Sequence, residues 1–172
     1  MNIVKTQIGM LKRIAKDKDV SKWDVETLRA YRDEEEEMTV IFNGYHAVYL
    51  KDRDLLINID QMRLANTQPI DIQIAPDDEN LGDVLERGTY SKYSILGGCV
   101  DDSTRAKKKM CEIFTRPNGE KCIAPKKYTD IFEDDIAVVK SSCGGIVFFD
   151  KDTHEFRGLV MALRVGRGNI WM

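Results

Sequence analysis

The chain has 172 residues and lacks the short motifs that most directly announce an enzyme. It contains no G-x-x-x-x-G-K-S/T, no G-x-G-x-x-G after a strand, no G-x-S-x-G and no H-E-x-x-H. The usual phosphate cradles and hydrolase signatures are thereby excluded. Histidine and cysteine are scarce. His46 and His154 show no zinc-ligand spacing, and Cys99, Cys111, Cys122 and Cys143 form no C-x-x-C pair. The simplest reading is four free, partly buried thiols, with a structural metal or a reactive thiol as alternatives. Ser141-Ser142-Cys143-Gly144-Gly145 is a glycine-rich strand connection; the competing reading is a nucleophile loop served by His46 or His154. No apolar run approaches the ~20 residues that span a bilayer. Lys5 and Lys12 surround only a short apolar patch at the start, so neither a membrane helix nor a secretory signal is expected, and the location expected is cytoplasmic.

Charge of one sign is not in excess either. The net charge is −3, which argues against nucleic-acid binding over the whole surface. The mean conceals an asymmetry. Acids dominate from Asp77 to Asp102, while from Arg105 to Lys127 the bases Arg105, Lys107, Lys108, Lys109, Arg116, Lys121, Lys126 and Lys127 face only Glu112 and Glu120.

What is present is a run of strand signals. Gly145 to Phe149, a polar turn from Asp150 to His154, and Glu155 to Val165 read as a β-hairpin rich in β-branched and aromatic residues. In its second arm Leu159, Met161, Leu163 and Val165 fall on one face and Phe156, Val160 and Ala162 on the other, so this strand is expected between a core and a helix, a second sheet or a partner chain. Trp23 to Tyr31, Met38 to Phe42, Tyr45 to Leu50 and Ile136 to Val139 are further strands, with Asn43-Gly44 as a turn and Asp33 to Glu37 as a solvated acidic turn. Leu55 to Ile59 and Ile70 to Ile74 are short apolar runs. A weak helix is expected around Leu81 to Leu85, and either a helix from Thr104 or a strand from Met110 to Phe114. Lys121 to Ala124 leads through Pro125 into a short helix carrying Lys126, Lys127, Tyr128, Ile131 and Phe132.

The first segment is amphipathic. After a short apolar start and Thr6 as a cap, Ile8, Leu11, Ile14 and Ala15 recur at helical spacing from Gln7 to about Lys18, with Met10 beside them. Lys12, Arg13 and Lys16 take the opposite side. That basic stripe is either a solvated face or a surface that meets phosphates.

Three stretches resemble one domain of the bacterial β sliding clamp of DNA replication. They are Ile3 to Ile14 with the strands up to Phe42-Asn43-Gly44-Tyr45-His46-Ala47-Val48, then Cys122 to Phe132, and then Gly158 to Val165. Gly44 keeps the glycine of the family's Thr-Asp-Gly-His-Arg run, Tyr45 and His46 depart from its His-Arg, and Ala162 stands where the closing strand usually has proline. The resemblance implies an α+β domain of antiparallel sheets backed by two helices over 1–172, with 55–120 as an insertion or enlarged loop region and 166–172 as a mobile tail. It implies a non-catalytic, cofactor-free accessory factor of replication, from a phage or mobile element. Lys12, Arg13, Lys16, Lys126 and Lys127 would face duplex DNA, and Gly44, Tyr45, His46, Val160 and Met161 would line a groove for polymerase-type client peptides. A ring would need several copies of the chain, hence a homo-oligomer. A protein-interaction module with the same fold and no DNA binding is the alternative.

Overall fold

The computed structural model describes residues 1–16, 28–64, 82–88, 91–92, 110–139 and 145–163. The fold is α+β, with two sheets and two α-helices among the described residues. Helix α1 is Ile3–Lys16; strands β1 (Arg29–Asp33), β2 (Met38–Phe42) and β3 (His46–Lys51) follow as an antiparallel meander. Five short strands come next: β4 (Arg63–Leu64), β5 (Asp83–Val84), β6 (Glu86–Arg87), β7 (Ser91–Lys92) and β8 (Met110–Thr115). Strand β9 (Lys121–Pro125) runs into α2 (Lys126–Thr129). A second meander then closes the described chain, β10 (Ile136–Val139), β11 (Gly145–Phe149) and β12 (Phe156–Met161).

The eight-stranded sheet has the order β4-β1-β2-β3-β12-β11-β10-β5, and its ladders are antiparallel except β1 with β4. The two meanders therefore meet edge to edge at β3 and β12, and each is preceded in the chain by a helix. In the four-stranded sheet β8 pairs with β9 on one side and with β6 and β7 on the other. One core joins both sheets and both helices. Met10 of α1 and Tyr128 of α2 share it with Ile41, Val48, Phe148 and Val160 of the large sheet and Phe114, Cys122 and Ala124 of the small one. Phe132 lies nearly parallel to Phe148, 8° apart at 4.4 Å, and Phe114 meets Phe148 edge-on; these three rings are fully buried, each worth about 2–3 kcal/mol of hydrophobic transfer.

The other face of the large sheet is apolar too. It carries Val40, Ala47 and Leu159 with Tyr31, Phe42, Tyr49 and Met161, and Val138, Val147 and Phe149 with Phe156. All five residues of β11 are buried, which explains a strand with no polar alternation. Phe156 corrects the expected facing. Alternation alone puts it with Val160 and Ala162, but the register slips between Phe148 opposite Gly158 and Phe149 opposite Phe156, so Arg157 is an extra residue in β12. This bulge turns Phe156 to the Leu159 face, where its ring meets Tyr49 and Phe149.

Helix α1 also differs from expectation at both cap and face. Asn2 is its cap, with Oδ1 accepting from Lys5 N at 2.9 Å, and Thr6 lies inside the first turns, its amide donating to Asn2 O at 2.9 Å. The buried side is Thr6, Gln7 and Met10; Ile8 and Leu11, expected inward, are exposed. Gln7 is the reason. Its Nε2 donates to Asp54 O at 2.7 Å, and its Oε1 accepts from Leu56 N at 2.6 Å and Ile57 N at 3.2 Å, so a satisfied carboxamide rotates the helix onto the chain after β3. Lys5 with Glu133 and the Met1 amino group with Asp135 tie the start of α1 to the turns after α2.

Two other segments depart from the pattern reading. Residues 82–88 hold β5 and β6 rather than a helix, with Leu85 between them donating its amide to Ala137 O at 2.8 Å. Leu55 to Ile59 is not a strand, while Met110 to Phe114 is one. The expectations for Trp23 to Thr27, Ile70 to Ile74, a helix from Thr104, Ser141 to Gly144 and the tail 166–172 lie outside the described residues. No described helix is long and apolar enough to cross a membrane.

Candidate functional site

The site is built on the β2–β3 turn. Asn43 is buried, and its Oδ1 accepts three hydrogen bonds, from Tyr45 N at 2.9 Å, His46 N at 3.0 Å and His46 Nδ1 at 2.9 Å. That pattern requires the proton on Nδ1 of the imidazole. The Asx geometry fixes the reversal and leaves Gly44 and Tyr45 at its exposed tip. His46 is buried and stacks on Tyr128 of α2, 4.3 Å between centroids and 21° between planes. The exposed Tyr45 ring runs nearly parallel to the same tyrosine at 6.2 Å. Asn43 Nδ2 reaches toward Tyr128 Oη at 3.5 Å, and Lys127 Nζ stands 4.5 Å from the Tyr128 ring centroid.

The last turn of β12 completes this end of the molecule. Val160 is opposite His46 in the ladder, and Met161 N donates to Tyr45 O at 2.8 Å. Two residues on, Leu163 N donates to Ile123 O at 2.9 Å, so the chain leaving the large sheet is fastened to β9 of the small one. Gly145 lies beside this contact, where a Cβ would stand 3.2 Å from Val160 O and 3.5 Å from Met161 Sδ. The β2–β3 turn, the end of β12 and the start of α2 thus meet at one rim: Tyr45 and Lys127 flank Tyr128, while Met161, joined to Tyr45 through its backbone, turns its side chain to the Leu159 face.

The residues expected in a client groove are brought together by the β3–β12 ladder. Their roles differ, because His46 and Val160 are buried whereas Gly44 and Tyr45 are exposed and Met161 is partly so. The expected DNA-facing set is divided. Lys12 is exposed on α1; the side chains of Arg13 and Lys16 lie outside the described residues. Lys126 pairs with Asp130 at 3.7 Å, and Lys127 joins the aromatic rim. Sequence reasoning did not place Tyr128 in a site. An aromatic directly after two lysines on a proline-started turn was the available signal.

Among the described residues, two further features brace the fold. Cys111 and Cys122 are buried on adjacent strands, and desolvation pushes the Cys122 thiol up to about 12, far from a reactive thiolate. Among the described residues no group of three or more His, Cys, Asp or Glu side chains could hold a metal ion. Arg87 bridges the two sheets. It forms a two-pronged ion pair with Glu112, at 2.7 and 3.0 Å, donates to Phe132 O, and lies 5.6 Å from the centroids of both Phe114 and Phe148. No protein family, no curated protein and no solved structure matches this chain.

Proposed function

We propose that the chain is a non-catalytic binding module, and that the Tyr45–Met161–Lys127 rim receives a peptide segment of a partner protein. The observation that carries this reading is the exposed Tyr45 ring lying nearly parallel to Tyr128, with Lys127 Nζ 4.5 Å from the same Tyr128 ring and the backbone of Met161 fastened to Tyr45 O. An exposed tyrosine, a partly exposed methionine and a cation on a rigid backbone are what a peptide-receiving surface uses: the aromatic and sulfur give area, and the cation orients an acidic group. His46, Asn43 and Tyr128 lie behind them and would preorganise that surface.

The test is fluorescence anisotropy with a labelled polymerase-type clamp-binding peptide. Tyr45→Ala and Met161→Ala should each weaken binding about tenfold, a hot-spot loss of roughly 1.4 kcal/mol. Binding that persists in the double variant counts against the groove. A DNA-associated accessory role is the second reading. It is supported by the exposed Lys12 on a helix, Ile3–Lys16, that carries four basic residues and no acidic one. Light scattering with and without duplex DNA at low salt tests it, since phosphate contacts must weaken as salt rises.

A further inference from the structure

Helix α1 buries two polar residues together with Met10 and leaves three large aliphatic ones outside. Buried Gln7 and Thr6 face the core, while Val4, Ile8 and Leu11 are 54%, 47% and 44% exposed. Their spacing of four and three residues places them on one line along the helix, about 10 Å from Val4 to Leu11. The hydrogen bond from Leu56 N to Gln7 Oε1 sets Leu56 beside the same flank, and Leu56 is 63% exposed. Val4, Ile8 and Leu11 therefore make one exposed apolar stripe, with exposed Leu56 at its Gln7 edge, on a molecule that buries apolar residues on both faces of its main sheet.

The charge next to the patch decides its occupant. On the helical wheel Lys5 and Lys12 border Ile8 on the side away from Leu56, and both are exposed. Among the described residues Lys5 pairs with Glu133, an exposed pair at 3.7 Å that a partner carboxylate can replace at little cost. We infer that α1 is a docking face for an acidic amphipathic helix of a partner protein, which would lay its apolar side on Val4, Ile8, Leu11 and Leu56 and set its carboxylates against Lys5 and Lys12. A second copy of α1 would bring lysines against lysines. Duplex DNA would use the lysines and leave the aliphatic residues against water. This surface is separate from the Tyr45 rim and does not depend on it.

The experiment uses two labelled 14-residue peptides with leucine at the same helical positions, one with glutamate and the other with lysine elsewhere, titrated against the full chain. The Leu/Glu peptide should bind saturably and weaken with salt; the Leu/Lys peptide should bind at least tenfold more weakly. Ile8→Asp with Leu11→Asp should abolish binding, and Lys5→Glu with Lys12→Glu should reverse the preference. Circular dichroism checks that both variants keep the fold, as exposed positions allow. No binding of the Leu/Glu peptide at 1 mM overturns the proposal. So does equal binding of both peptides, or binding of the Leu/Glu peptide that survives in the Ile8→Asp, Leu11→Asp variant.

Discussion

Gly158 and Phe132 share a space that admits no further side chain. A Cβ on Gly158 would stand 2.6 Å from Phe132 Cζ and 2.3 Å from the carbonyl oxygen of Ala47. The bare backbone lets β12 approach β3 while the Phe132 ring lies flat on Phe148. Gly158→Ala should therefore destabilise the protein by about 3 kcal/mol, the upper end of overpacking costs. Phe132→Leu should not restore it, because the Ala47 carbonyl is backbone and cannot move aside. Urea unfolding of the single and double variants measures both, and a near-neutral Gly158→Ala contradicts the steric account.

The Arg87–Glu112 pair invites a second experiment. Glu112 is 4% exposed, so removing its partner leaves a carboxylate in the core without compensation. Arg87→Met should cost about 3–5 kcal/mol. Replacing both, with Arg87→Met and Glu112→Leu, should cost less than the single change, because no orphan charge remains. Chemical denaturation of the four proteins gives the coupling. If the double variant is the less stable one, Glu112 is stabilised by groups other than Arg87, and an orphan charge is not what the single change costs.

These contacts also mark where sequence reading stops. β2, β10 and β11 were legible because alternation and β-branched runs coincide with their limits, and Asn43-Gly44 signalled its turn. An α+β fold of antiparallel sheets with two helices was legible as well. β5 and β6 were not, since two-residue strands carry no periodicity and are defined by partners such as Val138 and Phe114, far along the chain. The inward face of α1 was misread because Gln7 counts as polar on any scale, and only its three hydrogen bonds make it a core residue. In the rim, Tyr45 and Met161 came together through the clamp resemblance, whereas Tyr128 required the packing of α2 against the β2–β3 turn.

A pH experiment addresses the hairpin. Asp150 Oδ1 accepts from Asp152 N and Thr153 N, both at 2.9 Å, and Oδ2 pairs with Arg157 at 2.8 Å. The Arg157 hydrogen bond first, and then the two amides, hold this carboxyl well below the usual carboxylate range. A lowered folded value means that its stabilisation is complete above the unfolded pKa of ~3.9 and is lost as pH falls from there through the folded value. Asp150→Asn keeps an amide acceptor but removes the charge. It should cost roughly 1.5 kcal/mol at pH 7 and progressively less below pH ~4. Glu155, lowered by Lys51, contributes with the same sign in both proteins, so most of its part cancels in the difference between the two curves, while Asp135, raised mainly by burial and further by Asp150, moves down in the variant. Parallel stability curves from pH 7 to pH 2 contradict this assignment.

The same reasoning predicts what Gln7 contributes. Its carboxamide satisfies a carbonyl and two amides of the chain after β3, and in Gln7→Leu a side chain of similar volume offers them nothing. Buried groups left unpaired cost about 1–3 kcal/mol each, and relaxation toward water recovers part of it, so a loss of about 3 kcal/mol is expected. The loss should be local first. Hydrogen exchange at Leu56 and Ile57 should accelerate by at least tenfold under conditions where Ile41 and Val147, in the centre of the large sheet, are unchanged. If those two amides remain as protected as in the parent protein, α1 is held by Met10 and the apolar core alone, and the outward turn of Ile8 and Leu11 needs another cause.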